Sequence, residues 1–171
     1  MPEEPILPID DPRLKEPSAP VEVFDEQLRA LADRMFDIMD RAGGAGLAAI
    51  QIGVPLRLIV TDISDGSGVR RRLALANPEI LHASRETLVG EEGCLSMPGY
   101  DIPVERSARV RVSYRDLLGH ERIIDGDGGG FSVCLQHEID HTNGIIFTDR
   151  VSALRRGRAQ ARFAKVRRRV A

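Results

Sequence analysis

The chain has 171 residues, 42% of them hydrophobic and 29% charged, with no Trp and a formal net charge of -2. That length suits one domain with a substantial core, and the near-neutral charge excludes a protein that grips DNA or RNA through its overall field. Two cysteines, Cys94 and Cys134, make no disulfide framework and fit a reducing cytosol. The first residues show neither the basic stretch nor the apolar stretch of a signal peptide. No apolar run approaches the roughly 20 residues of a membrane span, so a cytoplasmic protein with no membrane partner is expected.

Residues 1–22 carry Pro2, Pro5, Pro8, Pro12, Pro17 and Pro20. Proline lacks the N–H a helix interior needs, so this stretch is expected to be an extended arm on the surface, pinned by Ile6, Leu7, Ile9 and Leu14. From Asp25 the pattern turns helical, with Leu28, Leu31, Met35, Ile38 and Met39 on one face. Asp25 is the expected N-cap, and Gly43-Gly44 stop the helix near Ala42.

Gly44-Ala45-Gly46-Leu47-Ala48-Ala49-Ile50-Gln51 follows. The small residues read either as a tight turn feeding a strand, with Gln51 exposed, or as a wall where backbone approaches a ligand closely, with Gln51 as a neutral donor to a site. Leu56–Ile63 reads as a buried strand, and Leu73–Ala76 and Glu79–Ala83 as two more, bent apart by Asn77-Pro78. Glu91–Ser96 reads as a polar loop carrying Cys94. Residues 108–114 alternate as a half-buried strand, paired back by 120–124 in a hairpin. Residues 125–130 read as a glycine-rich connector, and Phe131 opens a helix that Gly144 ends. Residues 152–170 form a last helix, strongly basic, with Leu154, Ala161, Phe163 and Val166 as its apolar positions.

The helix opened by Phe131 holds Gln136-His137-Glu138-Ile139-Asp140-His141. Histidines four apart lie one above the other on a helix, so both imidazoles reach one metal ion. The adjacent glutamate can then take a proton from a metal-activated water, the chemistry of the H-E-x-x-H motif. Two histidines need a third protein ligand for a reactive site with an open position. Cys94, Cys134, His82, His120 and the carboxylates are the candidates. Cys134 shares the helix and reads as a small buried thiol, and His82 and His120 as surface residues. Cys94 stands apart, beside a glycine and behind two acids, where a cation would stabilise its thiolate.

Three blocks in order, GAGLAAIQ (44–51), EGCLS (92–96) and QHEIDH (136–141), resemble the signature blocks of the bacterial peptide deformylase family. The likeness runs from Asp11-Pro12-Arg13-Leu14 to the basic final helix. It implies one α+β catalytic domain over 1–171, with small antiparallel sheets packed around a central metal-binding helix, flanked by an N-terminal and a C-terminal helix. It also implies removal of the formyl group from N-formylmethionyl polypeptides, with release of formate. Cys94, His137 and His141 become the metal ligands and Glu138 the general base and acid. The Gln51 amide and the Leu95 backbone N–H become the donors to the developing oxyanion. Fe²⁺ is the implied metal in the cell, replaceable by Zn²⁺, Ni²⁺ or Co²⁺. Gly44, Ala45 and Gly46 would offer a strand edge to the substrate, and Val133, His137 and Gly46 a pocket for the methionine side chain. Glu92 and Arg106 are expected to pair and fix the loop carrying Cys94. The basic helix reads either as a solvated face or, with the resemblance, as a surface that docks on ribosomal RNA near emerging nascent chains. Thr142 and Gly90 depart from the common family pattern and bear only on pocket shape. Two other readings remain from the residues alone: a zinc endopeptidase, which would take glutamate or histidine as third ligand, and a non-catalytic ribosome-binding metalloprotein, which would need neither Gln51 nor Glu138.

Overall fold

The structure is a computed structural model that describes residues 5–170; Met1–Glu4, with Pro2 of the arm, and Ala171 lie outside the described residues. Seven strands run in order β1 (Gly46–Ala48), β2 (Leu58–Ser64), β3 (Arg70–Ala83), β4 (Thr87–Cys94), β5 (Met97–Ser107), β6 (Val110–Arg115) and β7 (Glu121–Gly126). Three helices accompany them: α1 (Glu26–Ala42), α2 (Gly130–Thr142) and α3 (Ala153–Val170). Five strands make an antiparallel sheet in the order β1-β2-β3-β6-β7, and β4 and β5 make a separate two-stranded sheet. The expected α+β class with antiparallel sheets is what forms.

The five-stranded sheet is covered on both faces, and the side-chain alternation of strands decides which residue goes where. Leu47, Leu58, Val60 and Ala76 pack with Leu28, Ala32, Met35 and Met39 of α1. Ala48, Ile59, Leu75, Val110 and Val112 pack with Phe131, Leu135 and Ile139 of α2. Burial on both faces explains why β2 begins as an unbroken apolar run. At each of these fully enclosed leucines, truncation to alanine costs roughly 2–5 kcal/mol. The caps of α1 are as expected: the Asp25 carboxylate accepts the Leu28 N–H at 3.1 Å, and Gly43 ends the helix at φ 69°.

Four expectations need correction. The segments around Asn77-Pro78 are one strand, β3, with a bulge. Asn77 takes φ 50° there, and its amide holds the Val21 N–H and C=O at 2.7 and 3.0 Å. Strand β7 extends to Gly126, into the expected connector. Glu91–Ser96, expected as a polar loop around Cys94, instead lies at the tip of a long hairpin over 87–107 whose turn is Leu95-Ser96. On α3, Leu154 and Val166 are exposed, and the buried positions are Ala159 and Phe163.

The arm also does more than lie on the surface. Leu7, Ile9 and Leu14 are buried, and Pro12–Lys15 is a 3-10 turn capped by Asp11. Its backbone laces separate parts of the chain together. Leu7 N–H donates to Gln51 C=O at 2.7 Å, Ile9 N–H to Ser96 C=O at 2.8 Å, and Ser18 N–H to Thr142 C=O at 2.9 Å.

Candidate metal centre

Helix α2 is buried almost all round, although its sequence is rich in polar groups. Such a helix is tolerable only if those groups find partners. Gln136 donates to Ser107 C=O at 2.8 Å and accepts the Ser107 N–H at 3.1 Å, fastening the helix to the end of β5. His137 Nδ1 meets Glu92 at 2.9 Å, which leaves Nε2 for a metal. A carboxylate behind a histidine in this way fixes the ring and raises its basicity as a ligand.

The hairpin brings Cys94 to the helix. Its Sγ is 3.5 Å from His141 Nε2, and the ligand atoms of Cys94, His137 and His141 all lie within 4.8 Å of one another. One thiolate and two imidazoles are a fitting donor set for a transition-metal ion, and three protein ligands leave a coordination position open. Electrostatics agree. Burial holds His141 neutral, as a ligand must be. At His137 burial also favours the neutral ring, but the Cys94 and Glu92 contacts outweigh it and raise the pKa. Burial and the Glu138 charge push the Cys134 thiol well up, so it stays a protonated core residue. It contacts Ala45 C=O at 3.6 Å.

Glu138 is enclosed, and burial pushes its carboxyl up to about 7. Its Oε2 has no hydrogen-bond partner among the described residues. Space for it comes from Gly46: a Cβ on that residue would sit 2.7 Å from Glu138 Oε1 and 2.9 Å from Cys134 Sγ. Gln51 is also buried. Its Oε1 accepts the Ala48 N–H at 2.9 Å, while Nε2 donates to Ser96 Oγ at 3.0 Å and lies 3.5 Å from Cys94 Sγ. One amide N–H is therefore held by Ser96 and the other faces the thiol. Strand β1 is the edge of its sheet, so Gly44, Ala45 and Gly46 stand beside a cleft of about 440 Å³ that Leu95, Val133, His137 and Glu138 also line. Gly90 is not part of that cleft's wall. His82 and His120 are exposed, as expected.

Several residues had no role assigned from the sequence. Ser96 orients Gln51. Asp140 accepts from Arg106 at 2.6 Å and from Arg150 at 2.6 and 3.0 Å. Arg106 in turn binds Glu92 through two hydrogen bonds, so a chain of alternating charge runs from the buried His137 out to the exposed Arg150. Ser96, Gln136 and Asp140 all sit inside the motif blocks, which was the available signal; Arg150 had none.

The profile of the family described as polypeptide deformylase matches residues 3–157. The chain belongs to the polypeptide deformylase family. It is a hydrolase of that family. The curated peptide deformylase of Rhodopseudomonas palustris strain BisA53 is 48% identical over 166 residues, covering 96% of this chain and 92% of that protein. That of Rhizobium meliloti strain 1021 is 45% identical, with 95% and 92% coverage. Among solved structures, peptide deformylase from Ehrlichia chaffeensis superposes with a TM-score of 0.89 at 36% identity, covering 96% of each chain. The enzyme from Legionella pneumophila gives 0.86 at 44% identity, covering 95% of this chain and 94% of that one. No helix among the described residues is long and apolar enough to cross a membrane.

Proposed function

We propose that the chain, as one catalytic domain over 1–171, removes the formyl group from the N-terminal formylmethionine of nascent polypeptides in the cytoplasm. The observation that carries this reading is the meeting of three separated segments at one thiol: Cys94 Sγ lies 3.5 Å from both His141 Nε2 and Gln51 Nε2. Cys94, His137 and His141 would hold a divalent transition-metal ion, which a thiolate and two imidazoles suit; the family resemblance makes Fe²⁺ the ion in the cell, with Zn²⁺, Ni²⁺ or Co²⁺ able to take its place. When bound, such an ion acts as a Lewis acid and lowers the pKa of water toward neutrality.

The residues around it supply the rest. Glu138, with one oxygen unpartnered and a carboxyl pushed up to about 7, is suited to take a proton from water at neutral pH and return it to the leaving amine. The Gln51 N–H that faces the Cys94 thiol at 3.5 Å and the Leu95 backbone N–H in the hairpin turn are the donors for the oxygen of the formyl group as charge develops on it. Preorganised donors of this kind contribute about 2.7–4 kcal/mol each. The edge of β1 at Gly44–Gly46 can pair with an extended peptide through main-chain hydrogen bonds. Val133, His137 and Gly46 then line the space for the methionine side chain.

An endopeptidase of the H-E-x-x-H type would take its third ligand from histidine or a carboxylate, whereas here a thiol occupies that place. A purely structural metal would have no use for a buried, unpartnered Glu138 oxygen. The exposed arginines of α3, Arg155, Arg158, Arg168 and Arg169, support docking on ribosomal RNA. The test of the activity is formate release from formyl-Met-Ala-Ser. Wild-type protein should release it, and Glu138→Ala should lose turnover by at least about 10²-fold while keeping its metal. Turnover near wild type in that variant would remove Glu138 from the reaction.

A further inference from the structure

The catalytic cleft does not end at the hairpin turn. Beyond Leu95 and Pro98, which line the cleft, a second hollow of about 570 Å³ opens with those same two residues in its wall. Ala42, at the end of α1, is also common to both. The far walls come from three other segments: Ile6 and Pro8 of the arm, Ile38 of α1, and Phe163 and Val166 of α3. Two guanidinium groups, Arg41 and Arg167, stand at its edge.

We infer that this hollow is a downstream subsite, which takes the residues of the formylated peptide that follow the third and prefers an apolar residue with Asp or Glu beside it. The inference rests on the deformylase reading and adds a substrate preference to it. Three observations support it. First, the hollow adjoins the cleft, with Leu95, Pro98 and Ala42 in the walls of both, so a chain laid along β1 toward the end of α1 is directed at it. Second, its walls are apolar while its rim carries Arg41, exposed on the last turn of α1; that matches an apolar side chain followed by a carboxylate. Third, the α3 wall is fixed in place rather than loosely apposed. Phe163 is buried, Arg162 lies 4.7 Å over the Tyr100 ring on β5, and Arg167 binds Asp10 at 2.6 Å. A preformed wall spares the ordering cost that a collapsing groove would impose on binding.

The experiment compares kcat/KM for formyl-Met-Ala-Ser with heptapeptides extended by Leu-Asp-Ala-Ala or by Ser-Lys-Ala-Ala, on the metal-loaded full-length enzyme. The Leu-Asp peptide should exceed the tripeptide by on the order of tenfold, the effect of partly burying one leucine-sized side chain, and the Ser-Lys peptide should not. Val166→Glu places a charge on an exposed wall position, and Arg41→Ala removes one rim cation. Both should abolish most of the Leu-Asp advantage and leave the tripeptide unchanged. Equal kcat/KM for all three substrates in wild-type enzyme would overturn the subsite while leaving the deformylase reading intact. Equal losses on tripeptide and heptapeptide in the variants would overturn it as well. Absence of formate from every substrate would remove both readings together.

Discussion

Arg106 grips both oxygens of Glu92, at 2.8 and 2.9 Å, with the two side chains only 3% and 5% exposed. The pair joins β5 to β4 just before the hairpin turn that carries Cys94, and Glu92 reaches on to His137. Burial acts to raise the Glu92 carboxyl, but Arg106 and His137 outweigh it and hold the group below the usual range. One ion pair thus positions two of the three candidate metal-binding residues, Cys94 and His137.

Breaking it from one side should be costly. Arg106→Met leaves Glu92 and Asp140 as buried charges short of a partner, and such a loss destabilises by about 3–5 kcal/mol. Glu92→Gln keeps the shape but weakens the support behind His137, and metal affinity should fall roughly 10–100-fold. Urea unfolding and chelator competition measure the two effects. A double-mutant cycle on metal affinity that showed no coupling between the positions would separate the pair from the site.

Gly46 is the second sensitive point, because its missing side chain makes room for Glu138. A Cβ there would lie within 3.0 Å of Glu138 and Cys134, so Gly46→Ala must displace the carboxylate by tenths of an ångström. Turnover should drop by up to about 10²-fold, with secondary structure and metal content retained. Steady-state kinetics beside a metal assay and circular dichroism will show whether the loss is confined to catalysis.

Away from the site, Asp62 on β2 binds Arg70 and Arg72, and Arg72 also holds Asp40 of α1. Hydrogen bonds from Arg70, offset in part by burial and supplemented by Arg72, lower the Asp62 carboxyl to about 2. A carboxyl with a depressed folded pKa stabilises the fold above its unfolded pKa near 4 and loses that contribution as pH falls toward 2. The urea midpoint of Asp62→Asn should therefore lie below wild type at pH 6 and converge with it at pH 2. A constant difference across that range would show that charge plays no part.

Ribosome docking by α3 needs a test that spares the fold. Deleting the helix would remove Phe163 and Ala159 from the core and confound the result. Charge reversal at the exposed Arg158 and Arg168 should weaken co-sedimentation with ribosomes and flatten its salt dependence, while turnover of formyl-Met-Ala-Ser holds. Binding that ignores both salt and reversal would exclude phosphate recognition by this face.

Much of this molecule is written locally in its sequence. The four-residue spacing of His137 and His141 places both rings on one side of α2, because helix periodicity depends on nothing beyond the helix. The cap at Asp25, the stop at Gly43 and the β6–β7 hairpin were legible for the same reason. The β4–β5 hairpin was not, since glycines and prolines interrupt its strands and its buried positions mix the charged Glu92 and Arg106 with Cys94, Met97 and Val104. The three blocks identified the residues that meet, and the family resemblance implied their roles. What the sequence alone could not decide was their distances. Cys94 reaches His141 because the hairpin packs across α2, and Glu138 fits because Gly46 on a neighbouring strand has no side chain. The arm ties Gln51 and Ser96 together from the far end of the chain. Those are relations between distant segments, fixed only when sheet, hairpin and helix close on a common core.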